Sequence, residues 1–213
     1  EKSPLLDGNG QPILQGLRTG AFAESVVVDS SQIEIIPKEI PLDVASVLSC
    51  GVITGLGAVV NTAKIKTGSS VVVVGAGGVG LNSVQGAAIS GAGKVIAIDI
   101  AQSKLNTALK FGATHTVNVK EENVKKTVRD LTEGRGADFV FVTVGSKSAI
   151  EQGFKLSRKG GTLVIVGMTA DGVMVEFDPC AFASVEKRLL GSKMGSTRLN
   201  VDIPWYISLY KQN

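Results

Sequence analysis

From Gly68 onward, short runs of β-branched residues alternate with stretches in which apolar residues recur about every 3.6 positions, the pattern of successive βαβ units. Six runs read as strands: residues 71–74, 94–98, 114–117, 139–142, 162–166 and 189–193. Most are apolar throughout, as strands covered on both faces must be. Helical periodicity fills the gaps, over residues 79–90, 102–111, 123–132, 146–156 and a short 179–185. The expected fold is α/β, a doubly wound parallel six-stranded sheet, with residues 189–194 at its edge.

The opening reads differently. Residues 4–12 carry turn formers, Asp7-Gly8-Asn9-Gly10 among them; residues 22–29 read as a strand, and Pro37 and Pro41 as breakers. An apolar segment over 42–60, with Asp43 in its first turn, reads as a helix in spite of Gly51, Gly55 and Gly57. After Pro204, residues 205–210 read as a solitary last helix. Both ends are too short to hold a core of their own and read as pieces of something larger. The chain begins at Glu1, without an initiator Met or a signal-peptide pattern.

Charge and cysteine content narrow the partners. Lys and Arg number 22 against 19 Asp and Glu, a net charge of +3, but no basic run exceeds Lys125-Lys126 and no aromatics interleave with the cations. That argues against nucleic acid. The uncharged interval between Lys66 and Lys94 is long enough to span a membrane, yet eight glycines, four serines, Asn82 and Gln85 dilute it, so no membrane is expected. Cys50 and Cys180 cannot build a disulfide framework and lie in no Cys/His cluster, which fits a reducing cytoplasm.

Chemistry concentrates after the first strand, at Gly75-Ala-Gly77-Gly78-Val79-Gly80. A bare Gly-x-Gly-x-x-Gly is weak evidence, but here a strand precedes it, a helix comes after it, and Asp99 ends the next strand 19 residues beyond Gly80. Gly75 is expected to permit the sharp turn, Gly77 the approach of a pyrophosphate, and Gly80 close packing of helix on strand. The helix N-terminus offers amide N–H groups and partial positive charge to that pyrophosphate. Asp99 is placed to accept from the adenosine ribose hydroxyls and would repel a 2′-phosphate, which favours NAD over NADP. Its alternative role is as N-cap of the helix near Gln102. Ile100 is the next residue, and Lys104 lies within reach of the same ribose. Later strands end in Thr143-Val144-Gly145-Ser146, Gly167-Met168 and Met194-Gly195, which line the same crevice in a doubly wound sheet and suit the nicotinamide end.

The residues Leu48-Ser-Cys50-Gly-Val-Ile-Thr54-Gly, Ala63-Lys-Ile-Lys66-Thr-Gly68, the glycine turn, Asp99-Ile-Ala-Gln-Ser-Lys104-Leu, Phe111-Gly-Ala-Thr114 and Gly160-Gly-Thr-Leu-Val-Ile-Val-Gly167 closely resemble the zinc-dependent medium-chain alcohol dehydrogenases, class III-like members included. The likeness covers nearly the whole chain; even the opening from Gln11 to Glu24 resembles the end of that family's catalytic domain. The resemblance implies residues 1–51 as remnant of a GroES-like catalytic domain, 52–195 as an NAD-binding Rossmann domain, and 196–213 as the start of the returning catalytic segment. It implies that Thr54 contacts the nicotinamide, Val79 buttresses it, Ser192 and Met194 present backbone groups to its carboxamide, and Cys50 is a zinc ligand.

The family's other catalytic ligands, a Cys and a His, have no counterpart in this sequence, nor does its four-cysteine structural zinc lobe. A catalytic zinc takes about three protein ligands plus an open position. His115, on the third strand, is expected to be partly buried or at the surface, and remote from Cys50; Cys180 is expected to pack as a small hydrophobe, and Cys50, taken without the family, as a buried thiol. The resulting expectation is the NAD half of a homodimeric enzyme that oxidises a small alcohol to an aldehyde or ketone, with zinc held only by the full-length parent. Two alternatives stand beside it: a non-catalytic NAD(H)-binding module or sensor, and a zinc-free, NADPH-using quinone reductase, against which Asp99 argues.

Overall fold

The computed structural model describes residues 5–212. They form two compact units, one made of the residues up to Lys38 together with those from Arg198, the other running from Glu39 to Thr197.

The larger unit is built on six parallel strands, β1 (Ser70–Val74), β2 (Lys94–Asp99), β3 (His115–Asn118), β4 (Ala137–Val142), β5 (Ser157–Ile165) and β6 (Arg188–Gly191). Their spatial order is β3-β2-β1-β4-β5-β6. Helices α1 (Leu42–Val47), α2 (Ile53–Gly57), α3 (Gly78–Ile89), α4 (Gln102–Lys110), α5 (Val124–Leu131), α6 (Lys147–Leu156) and α7 (Pro179–Ser184) complete it. Because side chains alternate along a strand, apolar runs supply two faces at once. Val71, Val73, Val95 and Ala97 meet Val84 and Ala87 of α3 and Leu105 and Ala108 of α4 on one face. On the other, Val72, Val74, Ile96 and Ile98 meet Val124 and Val128 of α5 and Ile150 and Leu156 of α6. Each such valine or isoleucine contributes roughly 1.5–3 kcal/mol by leaving water. The fold is thus the doubly wound α/β arrangement of the sequence reading, with β6 at one edge.

The helical stretch before β1 runs on to Ala63, past the expected end at 60, because π-turns at Leu48–Val52 and Ala58–Ala63 link α1 to α2 and carry the winding beyond α2. The span Leu42–Ala63 is long and apolar enough to cross a membrane by length and composition, with a mean hydropathy of 1.8. Its apolar content has another use here: Gly55 lies against Val79 and Asn82 of α3, while Leu56 and Val59 pack on Gly86.

Some boundaries differ from the sequence expectation. β5 starts at Ser157, five residues early, through a pairing irregularity opposite Ala137 and Phe139. β6 ends at Gly191, because Met194, Gly195 and Ser196 turn with φ of 51°, 64° and 49°. In the smaller unit no strand forms over 22–29 among the described residues; Phe22 and Val27 are fully exposed. Strand propensity there finds no partner to pack against. The turn formers behave more simply: Asp7 Oδ1 accepts from the amides of Asn9 and Gln11, and Leu6 bridges Pro12. Pro4 lies outside the described residues. The last helix, α8 (Leu199–Tyr210), begins six residues before the expected start and contains Pro204. Asp202 reaches back to accept from the Arg198 N–H at 2.7 Å, so the helix begins there, and the proline removes one later hydrogen bond without ending it.

Candidate dinucleotide site

The order of strands reverses at β1, whose neighbours are β2 and β4, and in such sheets the crevice beyond the carboxyl ends at the reversal is the binding position. Gly75 leaves β1 with φ +96°, a left-handed value that glycine adopts without penalty. Its N–H donates to Ile98 O at 2.8 Å, and Thr143 Oγ1 donates to Val74 O and Gly75 O, each at 3.0 Å. The turn is therefore held from both neighbouring strands. At Gly80 a β-carbon would stand 1.8 Å from Gly75 O, so helix and strand approach to a distance that only glycine permits.

Gly77 is the N-cap of α3 and no side chain caps the helix. Gly77 and Gly78 are exposed, with nothing within 4 Å of where a β-carbon would stand. Val79 is half-buried, and the first amides of α3 have no side-chain cap. That is the donor set a diphosphate requires.

Beside the turn lies a cleft of about 430 Å3 lined by Gly75, Asp99, Ile100, Lys104 and Val144. Ser146, named in the sequence reading, lines it too, with Ser148 and Gln152 of α6 and Val119 after β3, which that reading missed. The available signal was Ser146 itself: as N-cap of α6 it starts that helix at the cleft, so the first turns of α6 line it as well. Asp99 is buried, with Oδ2 accepting from Ala76 N–H at 2.8 Å and Oδ1 from Ile100 and Ala101 at 2.8 and 3.0 Å. Three of a carboxylate's roughly four acceptor positions are thereby taken by amides, which ties the phosphate turn to the end of β2. Asp99 is not the N-cap of α4: that position is Ala101, without a side-chain bond. Lys104 and Ile100 are exposed at the cleft rim.

The remaining predicted residues gather in two places. Gly145 and Gly167 let the ends of β4 and β5 touch: a β-carbon on Gly145 would stand 2.0 Å from Met168 O, and one on Gly167 would stand 2.4 Å from the Val144 carbonyl carbon. Met168 itself is exposed. Thr54 is buried in α2 and its hydroxyl contacts Met194 Sδ at 4.0 Å. Ser192 is buried, with its hydroxyl 2.9 Å from that of Thr62. Gly195, named with Met194 at the end of the sixth strand, and Gly57, which had no predicted role in the site, make this junction possible. Gly57 and Gly195 meet backbone to backbone, a β-carbon on Gly195 falling 1.9 Å from Ile53 O.

The metal candidate stands apart. Cys50 is an exposed thiol in the first π-turn, not a buried one, and Cys180 is exposed in the first turn of α7 rather than packed, because the Asp178 carboxylate pins that turn by its amides. His115 is half-buried, its Nδ1 2.9 Å from Thr114 Oγ1, on the strand at the far edge from β6. Among the described residues no three His, Cys, Asp or Glu side chains come together. One thiol does not fit the ligand set of a catalytic zinc.

A family model described as zinc-binding dehydrogenase matches residues 78–212, from the helix that opens the phosphate turn to the end of α8. The chain belongs to the zinc-binding dehydrogenase family. An alcohol dehydrogenase class-3 from Zea mays is 40% identical over 206 residues, covering 95% of this chain and 53% of the relative. An alcohol dehydrogenase zinc-binding domain protein from Burkholderia ambifaria superposes with a TM-score of 0.89 at 34% identity, over 97% of this chain and 56% of the other. A zinc-binding dehydrogenase from Sinorhizobium meliloti, solved with NADP bound, gives a TM-score of 0.64 at 32% identity over 67% of this chain and 42% of its own. The chain spans about half the length of the curated relatives it matches. As a member of this family it has the Rossmann-like fold of its relatives.

Proposed function

We propose that this chain is the NAD-binding part of a zinc-type alcohol dehydrogenase, and the observation that carries the reading is the uncapped start of α3 beside a buried Asp99. The amides of Gly78, Val79 and Gly80 receive the diphosphate, with Gly77 leaving room for it. Asp99, Ile100 and Lys104 receive the adenosine ribose, and Thr54, Val144, Gly145, Gly167, Met168, Ser192 and Met194 receive the nicotinamide end. A bound nicotinamide supplies the hydride acceptor for a carbinol carbon. What these residues do is hold its ring in place and exclude water from it.

In this reading residues 1–51 and 196–213 belong to the catalytic domain and 52–195 to the cofactor domain. Substrates are small alcohols or aldehydes, two copies associate through the β6 edge, and the compartment is the cytoplasm. Cys50 is the one residue assigned to a catalytic zinc. The preference for NAD rests on Asp99, whose carboxylate repels a 2′-phosphate. Titration of the chain with NADH and NADPH tests the proposal: NADH is expected to bind at least about tenfold more tightly. Equal or tighter binding of NADPH removes the cofactor assignment, and binding of neither removes the function.

A further inference from the structure

At the other end of the sheet, the amino ends of β4 and β5 open into a cavity of about 750 Å3 that the dinucleotide reading does not use. Lys125 and Arg129 enter it from successive turns of α5, and Lys155 from the last turn of α6. Arg135 comes from the loop into β4, Arg158 and Lys159 from the start of β5, and Lys187 from the position before β6. One carboxylate in the lining, Asp138, faces these seven cations.

That carboxylate is already engaged. It pairs with Arg158 Nε at 2.5 Å and accepts from the Ser70 N–H and hydroxyl at 2.8 and 2.7 Å. Lys187 is committed to the wall, donating to Phe154 O at 2.6 Å and Ser157 O at 2.9 Å. Arg135 pairs with Glu133 at 3.6 Å. Lys125, Arg129, Lys155 and Lys159 have no ion-pair partner among the described residues, whereas Lys126, on the same helix but outside the cavity, pairs with Asp130 at 2.9 Å. Burial, and then the nearby Arg129, hold the Lys187 ammonium below its ordinary pKa. Like charges crowded against an apolar floor of Phe154, Ala181 and Val185 focus a positive field into the concavity.

We propose that this cavity binds the phosphate groups of a polyphosphate, either a free condensed phosphate or the chain of a nucleoside polyphosphate, with Lys125, Arg129, Lys155 and Lys159 as its ligands. Four unpaired cations around one concavity suit a compact polyvalent anion; a nucleic acid backbone calls for a stripe of cations along a surface. Arginine's planar fork adds paired donors suited to phosphate oxygens. The site is separate from the dinucleotide cleft and does not depend on its assignment: a chain that fails to bind NADH is still expected to bind tripolyphosphate.

The test is calorimetric titration of the chain with sodium tripolyphosphate, with and without NADH, at low and at physiological salt. Binding tighter than about 1 mM is expected, unchanged by NADH and weakened by salt. Arg129→Gln and Lys159→Gln should each weaken it about five- to tenfold, Arg129→Lys should recover part of the loss, and Lys126→Gln should change it less than about twofold. Circular dichroism of each variant checks that the fold is kept. ATP binding equal to that of tripolyphosphate assigns the phosphate chain as the whole ligand; much tighter ATP binding in the presence of NADH assigns a nucleotide. Absence of tripolyphosphate binding, an equal loss in Lys126→Gln and Arg129→Gln, or RNA binding that tripolyphosphate does not displace overturns the proposal.

Discussion

Replacing Gly80 by alanine probes the tightest contact in the phosphate turn. The new β-carbon would stand 1.8 Å from Gly75 O, 2.9 Å from Gly75 C and 3.0 Å from Thr143 Oγ1, and the first two are backbone atoms with no rotamer to yield. Helix and turn must separate by about 1.2 Å before the oxygen contact becomes tolerable. Alanine favours the helix by about 1 kcal/mol over glycine, while overpacking of this kind costs about 1–3 kcal/mol. The net effect is a loss of up to about 2 kcal/mol, which at an m-value of about 2 kcal/mol/M lowers the urea midpoint by as much as about 1 M. Cofactor affinity should suffer more. Amides displaced from the diphosphate forfeit one charge-assisted hydrogen bond of about 1.5–3 kcal/mol, so NADH should bind roughly 10- to 100-fold more weakly. Gly78→Ala is the control for stability alone, because no protein atom lies within 4 Å of its β-carbon. Urea melts followed by circular dichroism and NADH titration by fluorescence read both effects. If Gly80→Ala matches Gly78→Ala in midpoint and keeps the parental NADH affinity, the close-packing argument is wrong.

Other contacts carry their own expected outcomes. Asp99→Asn leaves one acceptor oxygen for the amides of Ala76, Ile100 and Ala101, so thermal melts should show a loss of about 1–3 kcal/mol; an unchanged melting temperature contradicts the bridging role. Burial tends to raise the Asp138 carboxyl, but the Ser70 hydrogen bonds and Arg158 outweigh it and hold its pKa below the ordinary 3.8. The stabilisation is therefore present above that value and lost as pH falls through the lower folded one, so the gap in urea midpoint between the parent and Asp138→Asn should shrink from about pH 7 to about pH 3. A gap independent of pH refutes that assignment. Gly195→Ala puts a side chain on a residue with φ +64° and within 1.9 Å of Ile53 O, and should cost about 2 kcal/mol or more in denaturant melts; tolerance would mean that the loop does not press on α2.

The strands and the helices between them were legible because each apolar run and each 3.6-residue repeat is a local property, readable without knowing the neighbours. The glycine turn was legible for the same reason: strand, turn, helix and Asp99 succeed one another along the chain. Boundaries failed where a distant group decided them. β5 begins early because β4 is there to pair with Ser157, α8 begins early because Asp202 caps Arg198, and residues 22–29 stay irregular for want of a partner strand.

Local residue order is enough to specify an α/β chain with one phosphate-binding turn, since alternation, periodicity and glycine placement act over a few residues. Folding had to settle the order of strands, the meeting of Gly57 with Gly195 beside Thr54, the exposure of both cysteines, and the gathering of seven cations that never exceed two in a row along the chain. Those features are sums over groups far apart in sequence, and their energies exist only once the sheet has brought the groups together.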